Sequence, residues 1–571
     1  MKFENEAIWT NKPGNDGLLF FTQRIKEMLF LHTDNMYKSP VHNSHTLMKE
    51  YLKLSQLVEK EIISRNHLEA VYDELIDSFR KDIILRNKYG KEKINTIIEQ
   101  LNSSSEKKRQ QLIHYLFCKY SDYGKYCYEY LLTIVPQEKE KRKIEDALRC
   151  YIPYLISVGY SPQFIYHYNN KIFNSDINCE NYLKVFLDRF DLKKNKYHVY
   201  FAFNKKSERF KKILSQRLGA SFKKDKYSHK LKFDKDNYYI VKFETDALDS
   251  NGAIKNIINI VNVFVDCYSF LGDRKEEWFF NKALVVDDNE DINIINVENV
   301  IYPVSKDYSD EHIARVAETT VMTLLNNVDS TFLDIKRILE IHSSALNNKD
   351  KNGAFLNMWS ILEIVGIQRR DSNKIDEIIN NIISILENDY TNTVFNELRN
   401  YIKGNLSKEE YERIKKSVEG SNETIKIANI VILDEYEAKR KELIELLKKA
   451  PLIRGRIYTI NEIFKRKNGF IRELNRYSKR VRWHLLRIYR IRNSIIHMGE
   501  KSDYIDIVGK HLHGYVDEVI FSIVVRLSYD YSLKTIGNVL IEEQTIMESI
   551  RKDYSKKETM ESSDIQRLLD E

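Results

Sequence analysis

Apolar residues recur at three- and four-residue intervals over most of this chain, the spacing that lines one face of an α-helix. Leu19, Phe20 and Phe21 open the first such pattern, which continues through Ile25, Met28 and Leu29. The same rhythm predicts helices over 46–63, 66–86, 92–101, 105–119 and 138–158. Ser103–Ser105 reads as a turn and cap. Pro162 after Ser161 starts another helix, since proline suits the first turn and serine can cap it. From about residue 191 the texture changes. Tyr197–Phe203 and Tyr238–Phe243 are short, aromatic and β-branched, as strands are. Leu231–Phe233 is a candidate third strand, with more at 279–286 and 292–303. Helical patterns at 205–218 and 250–271 alternate with these strands. Helices resume at 310–327, 330–347, 353–366, 374–388, 393–404, 407–418, 422–449, 459–466, 470–498 and 504–534. In 470–498 the apolar stripe is Phe470, Leu474, Tyr477, Val481, Leu485, Ile488 and Ile495. No internal repeat emerges.

The expected fold is therefore mainly α. It comprises an N-terminal helical region (1–190), a small α/β middle domain (191–305), a C-terminal helical bundle (306–535) and a charged tail (536–571), partly helical and partly disordered. The middle domain is a candidate sensor. The heavily apolar 353–366 segment is expected at the centre of its bundle, which makes its acid, Glu363, conspicuous. That residue is either paired with the basic residues near 492–497 or simply a surface acid.

Composition adds bounds. The 571 residues suffice for several domains, and 42% hydrophobic with 31% charged residues is ordinary for a globular protein. Five scattered cysteines with no Cys-x-x-Cys argue against a zinc site or a disulfide framework and suit a reducing cytoplasm. No signal-peptide pattern and no run of 18 apolar residues is present, so no membrane span is expected. The net charge is only +7, yet residues 454–492 hold thirteen basic residues against two acids, a surplus of eleven. Such a block predicts a polyanionic partner, with Arg472, Arg476, Lys479, Arg480, Arg487 and Arg490 as nucleic-acid contacts.

At the end of that block the chain reads Arg492-Asn493-Ser494-Ile495-Ile496-His497-Met498-Gly499. Asn493 and His497 are i and i+4 on one helix face, so the amide can fix the imidazole in one tautomer. Arg492 flanks that face, about 140° around the axis from His497. Gly499 is a natural helix stop. Histidine exchanges protons near neutrality, and arginine grips phosphate oxygens in a planar fork. The pattern points to phosphodiester chemistry with Arg492, Asn493 and His497 as the catalytic set. The four-residue gap also occurs at Arg109–His114 and Arg337–His342. Only Arg492 has the following Asn, the basic run and the Gly stop. His114 and the tyrosines around 120–130 are also candidates to face RNA, but pack a helical core more often.

These residues resemble the Arg-Asn-x-x-x-His signature of HEPN-domain ribonucleases. The likeness extends to Ala354–Glu363, which is similar to an early HEPN helix of the Apea-like group of bacterial anti-phage proteins, and covers about residues 310–535. It implies a HEPN-like bundle and metal-independent RNA cleavage that leaves cyclic-phosphate or 3′-phosphate ends. It also implies two copies of the motif facing each other across a dimer, tRNA loops as a first target, and a phage-derived trigger as context. From the residues themselves, RNA is favoured over DNA because its 2′-hydroxyl supplies the nucleophile. No cofactor or metal is required, and no metal-ligand cluster is visible along the chain. Asp287–Asp291 lacks the Gly and distal Glu of a calcium loop. P-loop, Gly-x-Ser-x-Gly, His-Glu-x-x-His and dinucleotide fingerprints are all missing. The competing reading is a non-catalytic RNA-binding or scaffold protein that uses the 470–498 helix, and a third is an inactive partner of a separate toxin subunit.

Overall fold

The computed structural model describes residues 14–570 apart from 175–180, 206–207, 209–210, 224–225, 228, 234–236, 273–278, 289, 298–316, 319–320, 322–329, 349, 368–373, 467, 500–501, 503, 531 and 558. The expected helix 310–327 and the end of the strand 292–303 therefore lie largely outside the described residues. The chain divides into two compact units, one joining residues 1–153 to 301–571 and the other spanning 154–300. The expected separation of an N-terminal region from a C-terminal bundle is replaced by a single unit built from both ends of the chain.

In chain order the helices are α1 (Asp16–Leu29), α2 (Ser44–Glu59), α3 (Arg65–Lys81), α4 (Ile83–Tyr89), α5 (Lys91–Ser103), α6 (Glu106–Lys119), α7 (Tyr123–Ile134), α8 (Lys141–Ser157), α9 (Pro162–Phe173), α10 (Tyr182–Asp188), α11 (Lys211–Leu218) and α12 (Ser250–Gly272). They continue as α13 (Ser330–Asn347), α14 (Lys351–Gly366), α15 (Lys374–Asn405), α16 (Lys408–Lys415), α17 (Glu423–Ile432), α18 (Glu437–Leu446), α19 (Pro451–Lys465), α20 (Gly469–Met498), α21 (Ile505–Tyr529), α22 (Ile536–Tyr554) and α23 (Ser562–Asp570). The fold is mainly α, as expected. Among the described residues no helix is long and apolar enough to cross a membrane.

Several boundaries differ for local reasons. The segment 66–86 breaks at Asp82, whose carboxylate accepts the Leu85 backbone N–H at 2.9 Å and caps α4. The predicted helices 374–388 and 393–404 are one helix, α15. Its polar middle does not interrupt it because those side chains have partners. Glu387 takes Arg551 at 2.8 Å, Asn388 donates to Glu543, and Thr393 donates to Asp389. The segment 422–449 breaks at a single 3-10 turn, Asp434–Tyr436.

The expected charged tail is a packed part of the bundle. Residues Ile536, Val539, Leu540, Met547, Ile550 and Tyr554 form a buried stripe on α22, and Leu568 of α23 joins the same cluster as Met547 and Ile550. The charges on the other face hide this stripe from a compositional reading.

The core of this unit gathers α13, α14, α15, α20, α21 and α22. Trp359, Phe355, Met358 and Leu362 of α14 are fully buried, so this helix is central, as its composition predicts. The tyrosines Tyr120, Tyr123 and Tyr130 are buried core residues rather than an RNA surface. Tyr123 donates its hydroxyl to Asp82 at 2.7 Å.

The second unit holds a four-stranded sheet: β1 (Asn195–Asn204), β2 (Tyr238–Ala247), β3 (Phe279–Val286) and β4 (Ile292–Asn296). Its order is β2-β1-β3-β4, and every pair is antiparallel. Val199, Phe201 and Phe203 pack with Ile254 and Ile257 of α12 on one face, while Tyr200 and Ala202 pack with Leu231 and Leu284 on the other. Leu231–Phe233 is not a strand; it contributes Leu231 as cover for that second face. The acidic stretch 287–291 joins β3 to β4, and across it the Asp291 N–H donates to the Asp287 carboxylate at 2.9 Å.

Candidate active site at the end of the basic helix

Helix α20 positions every residue of the predicted site. It begins after Asn468, and Gly469 is required there because a Cβ would lie 1.9 Å from the Ile463 carbonyl oxygen. It ends at Gly499, whose φ of +64° places it in the left-handed region and whose N–H bonds the Ile495 carbonyl at 3.1 Å. The apolar stripe read from the sequence is buried along the helix. That burial fixes its rotation, and so fixes which cations face water.

At its C-terminal end Arg492 is half-buried, with a guanidinium nitrogen 3.4 Å from Glu363 Oε1. The same oxygen accepts the Trp359 indole N–H at 2.7 Å, which locks Glu363 to its own helix, α14. Arg492 Nη1 also donates to Asn493 Oδ1 at 3.0 Å. Asn493 therefore orients the arginine. The expected hydrogen bond from Asn493 to the imidazole is not formed, and among the described residues His497 has no hydrogen-bond partner. His497 is exposed one turn beyond Asn493. The arrangement presents a braced guanidinium and an exposed imidazole at one helix end. Such a pair can bind a phosphate group and exchange a proton beside it.

The rest of the basic block is largely compensated within the chain. Arg487 and Arg490, expected to contact RNA, are both buried. Arg487 donates to Glu50 at 3.0 Å and to Glu74 at 2.6 Å, and Arg490 donates to Glu50 at 2.9 Å. Their expected role is corrected: they tie α20 to α2 and α3. A buried guanidinium is stable only with such partners. Burial opposes ionisation of Glu50, but Arg487, His42 and Arg490 together more than offset it and hold the carboxyl well below its usual range. Burial lowers His42, beside Glu50, to about 3, and Arg487 adds to that effect. Further back, Arg454 pairs with Asp16 at 2.8 Å and Arg456 with buried Glu27 at 2.9 Å, so α19 is tied to α1.

The first half of α20 does face water. Arg472, Arg476, Lys479 and Arg480 are exposed. Arg476 and Arg480 lie 3.1 and 3.7 Å from Glu473, and Lys479 sits over the Trp483 ring at 4.7 Å. A groove of about 420 Å³ runs beside them, lined by Lys479, Arg482 and Arg551 together with Glu387 and Glu548.

Of the other Arg–His pairs, Arg109 is committed to Glu69 at 3.0 Å and to the Tyr72 ring, while His114 is exposed. His342 belongs to a cluster the sequence did not reveal, with His513 and Asp517. The only sequence signal was the i, i+4 spacing of His513 and Asp517 on α21. No known protein family, curated protein or solved structure matches this chain.

Proposed function

We propose that the protein is an endoribonuclease that cleaves RNA without a metal, using His497 for proton transfer and Arg492 to hold the scissile phosphate. The observation that carries this reading is the bracing of Arg492 by Glu363 and Asn493 on the helix end that also bears the exposed His497, which has no hydrogen-bond partner among the described residues. General acid–base catalysis by a positioned histidine contributes about 10²–10⁴-fold. Asn493 acts on the arginine in this scheme. Arg472, Arg476, Lys479 and Arg480 supply RNA affinity. The context is cytoplasmic anti-phage defence, with tRNA as a first substrate to test and a phage-derived trigger.

A single Arg492–His497 pair offers one imidazole, whereas cleavage takes a proton at the 2′-oxygen and gives one at the leaving 5′-oxygen. The reading therefore includes a homodimer, or a dimer of dimers, that sets two copies around one phosphate.

The test is cleavage of cellular RNA by purified wild-type and His497→Ala protein with chelator present, across a dilution series with mass measured by light scattering. His497→Ala should bind RNA and leave it intact, and wild-type activity per mole should fall as the dimer dissociates. Near-wild-type cleavage by His497→Ala would refute the site. Full activity in a demonstrated monomer would refute the shared arrangement. RNA binding without cleavage by wild type would instead favour a scaffold that uses α20 alone.

A further inference from the structure

We propose that His342, His513 and Asp517 form a binding site for a divalent first-row transition-metal ion that clamps α13 to α21. The three donor atoms make a nearly equilateral triangle. His342 Nε2 lies 3.2 Å from His513 Nε2 and 3.1 Å from Asp517 Oδ1, and His513 Nε2 lies 3.3 Å from the same oxygen. An ion bonded to imidazole and carboxylate at about 2.0–2.2 Å sets its donors about 2.8–3.1 Å apart at right angles and about 3.3–3.6 Å apart at tetrahedral angles. The observed edges bridge those two ranges.

Protons alone satisfy this triangle badly. If both Nε2 atoms carry hydrogen, both can donate to Asp517, but the two N–H groups then face each other across 3.2 Å. If only one does, the other nitrogen turns its lone pair toward a carboxylate oxygen. If neither does, three lone pairs converge. A cation at the centre satisfies all three atoms together. His513 Nδ1 is buried with no hydrogen-bond partner among the described residues, so none of them dictates from the far side of that ring where its proton sits.

Burial is graded across the site. The His513 side chain is fully enclosed, while those of His342 and Asp517 are about one-fifth to one-quarter exposed, at 19% and 24%. An ion would rest on an enclosed wall and keep an open side toward solvent, where water or an anionic ligand completes its coordination. Two imidazoles with one carboxylate select zinc, iron, cobalt, nickel or manganese over magnesium and calcium, which prefer oxygen donors.

The consequence is mechanical. His513 and Asp517 share one face of α21 at i and i+4, and His342 comes from α13, so an ion would crosslink two helices of the bundle. This inference stands independently of the ribonuclease reading, because binding and stability report it without any activity.

The experiment uses the tag-free, full-length protein stripped with chelator and dialysed. Zinc chloride alone is titrated by calorimetry, and cobalt chloride is titrated by visible absorption to report the coordination geometry. Wild type should bind one equivalent and melt at a higher temperature in zinc than in chelator. Because His513 is buried, His342→Ala and Asp517→Asn, at the exposed rim, carry the test. Each should keep the wild-type circular dichroism in chelator, lose affinity by at least about tenfold and lose the zinc-dependent rise in melting temperature. Absence of stoichiometric binding to wild type, or binding that both variants retain, would overturn the proposal.

Discussion

Arg487 lies between Glu50 and Glu74, and its side chain is only 5% exposed. Removing one member of such a network strands the others as uncompensated buried charges, which typically costs about 3–5 kcal/mol. Arg487→Ala should therefore lower unfolding stability in urea at pH 7 by about that amount. Arg490→Ala should cost less, because Glu50 keeps Arg487. A loss below about 1 kcal/mol for Arg487→Ala would mean that water reaches the carboxylates and the network is not structural. Arg492 is the contrasting case. Both it and its partner Glu363 are about a quarter exposed, at 25% and 28%, so solvent screens the pair and its removal should cost much less than that of Arg487. Two arginines five residues apart on one helix thus differ in kind, and the packing of α2 and α3 against α20 makes the difference.

Helix α20 is a graded element. Its exposed cations occupy the first half, its buried arginines the second, and the braced Arg492 with the exposed His497 its last turn and a half. RNA affinity should then depend on the first half. Each phosphate contact to a single strand contributes about 0.7 to the slope of log affinity against log salt. Replacing Arg476, Lys479 and Arg480 together by Ala should reduce that slope by up to about 2 and weaken binding to all sequences alike. Glu473 does not prevent this, since exposed ion pairs are weak and a phosphate can displace them. An unchanged slope would move the RNA surface away from α20, with the groove beside Arg482 and Arg551 the next place to mutate.

At the scale of the larger unit, several buried and half-buried histidines share one property. Burial lowers His42 and His484 to about 3 and His45 and His67 to about 4, and pushes His511 well down. An unfolded imidazole titrates near 6.5 (about the ordinary value), so below that pH the unfolded chain binds protons that the folded chain refuses. The stabilisation is complete above about 6.5 and is lost as pH falls. His42 and His484 each contribute a slope of up to about 1.4 kcal/mol per pH unit between about 6.5 and 3, and the other three act in the same direction. Glu50, whose folded value is depressed, adds its own loss only below about 4.3. Urea midpoints measured from pH 7.5 to 4.5 should be flat above about 7 and fall steadily below about 6.5. A midpoint that holds to pH 4.5 would show that these rings are hydrated and protonated in the native state.

The sequence by itself determined the helical class, the buried stripe and stop of α20, the central place of α14 and the strands of the smaller unit. These follow from local spacing, because a helix face is set by residues three and four apart and a strand face by alternate ones. It also placed Arg492, Asn493 and His497 on one helix end, and left open whether Glu363 reaches them. Tertiary structure decided which charges remain available. Glu50 lies 437 positions from Arg487, and His342 lies 171 from His513. No local pattern reports a partner at that distance. A run of arginines therefore reads as a polyanion-binding surface until α1, α2 and α3 are seen to supply the anions. A charged tail likewise reads as loose until its apolar stripe finds the bundle. Local periodicity encodes which way a side chain points; what it meets there is a property of the whole chain.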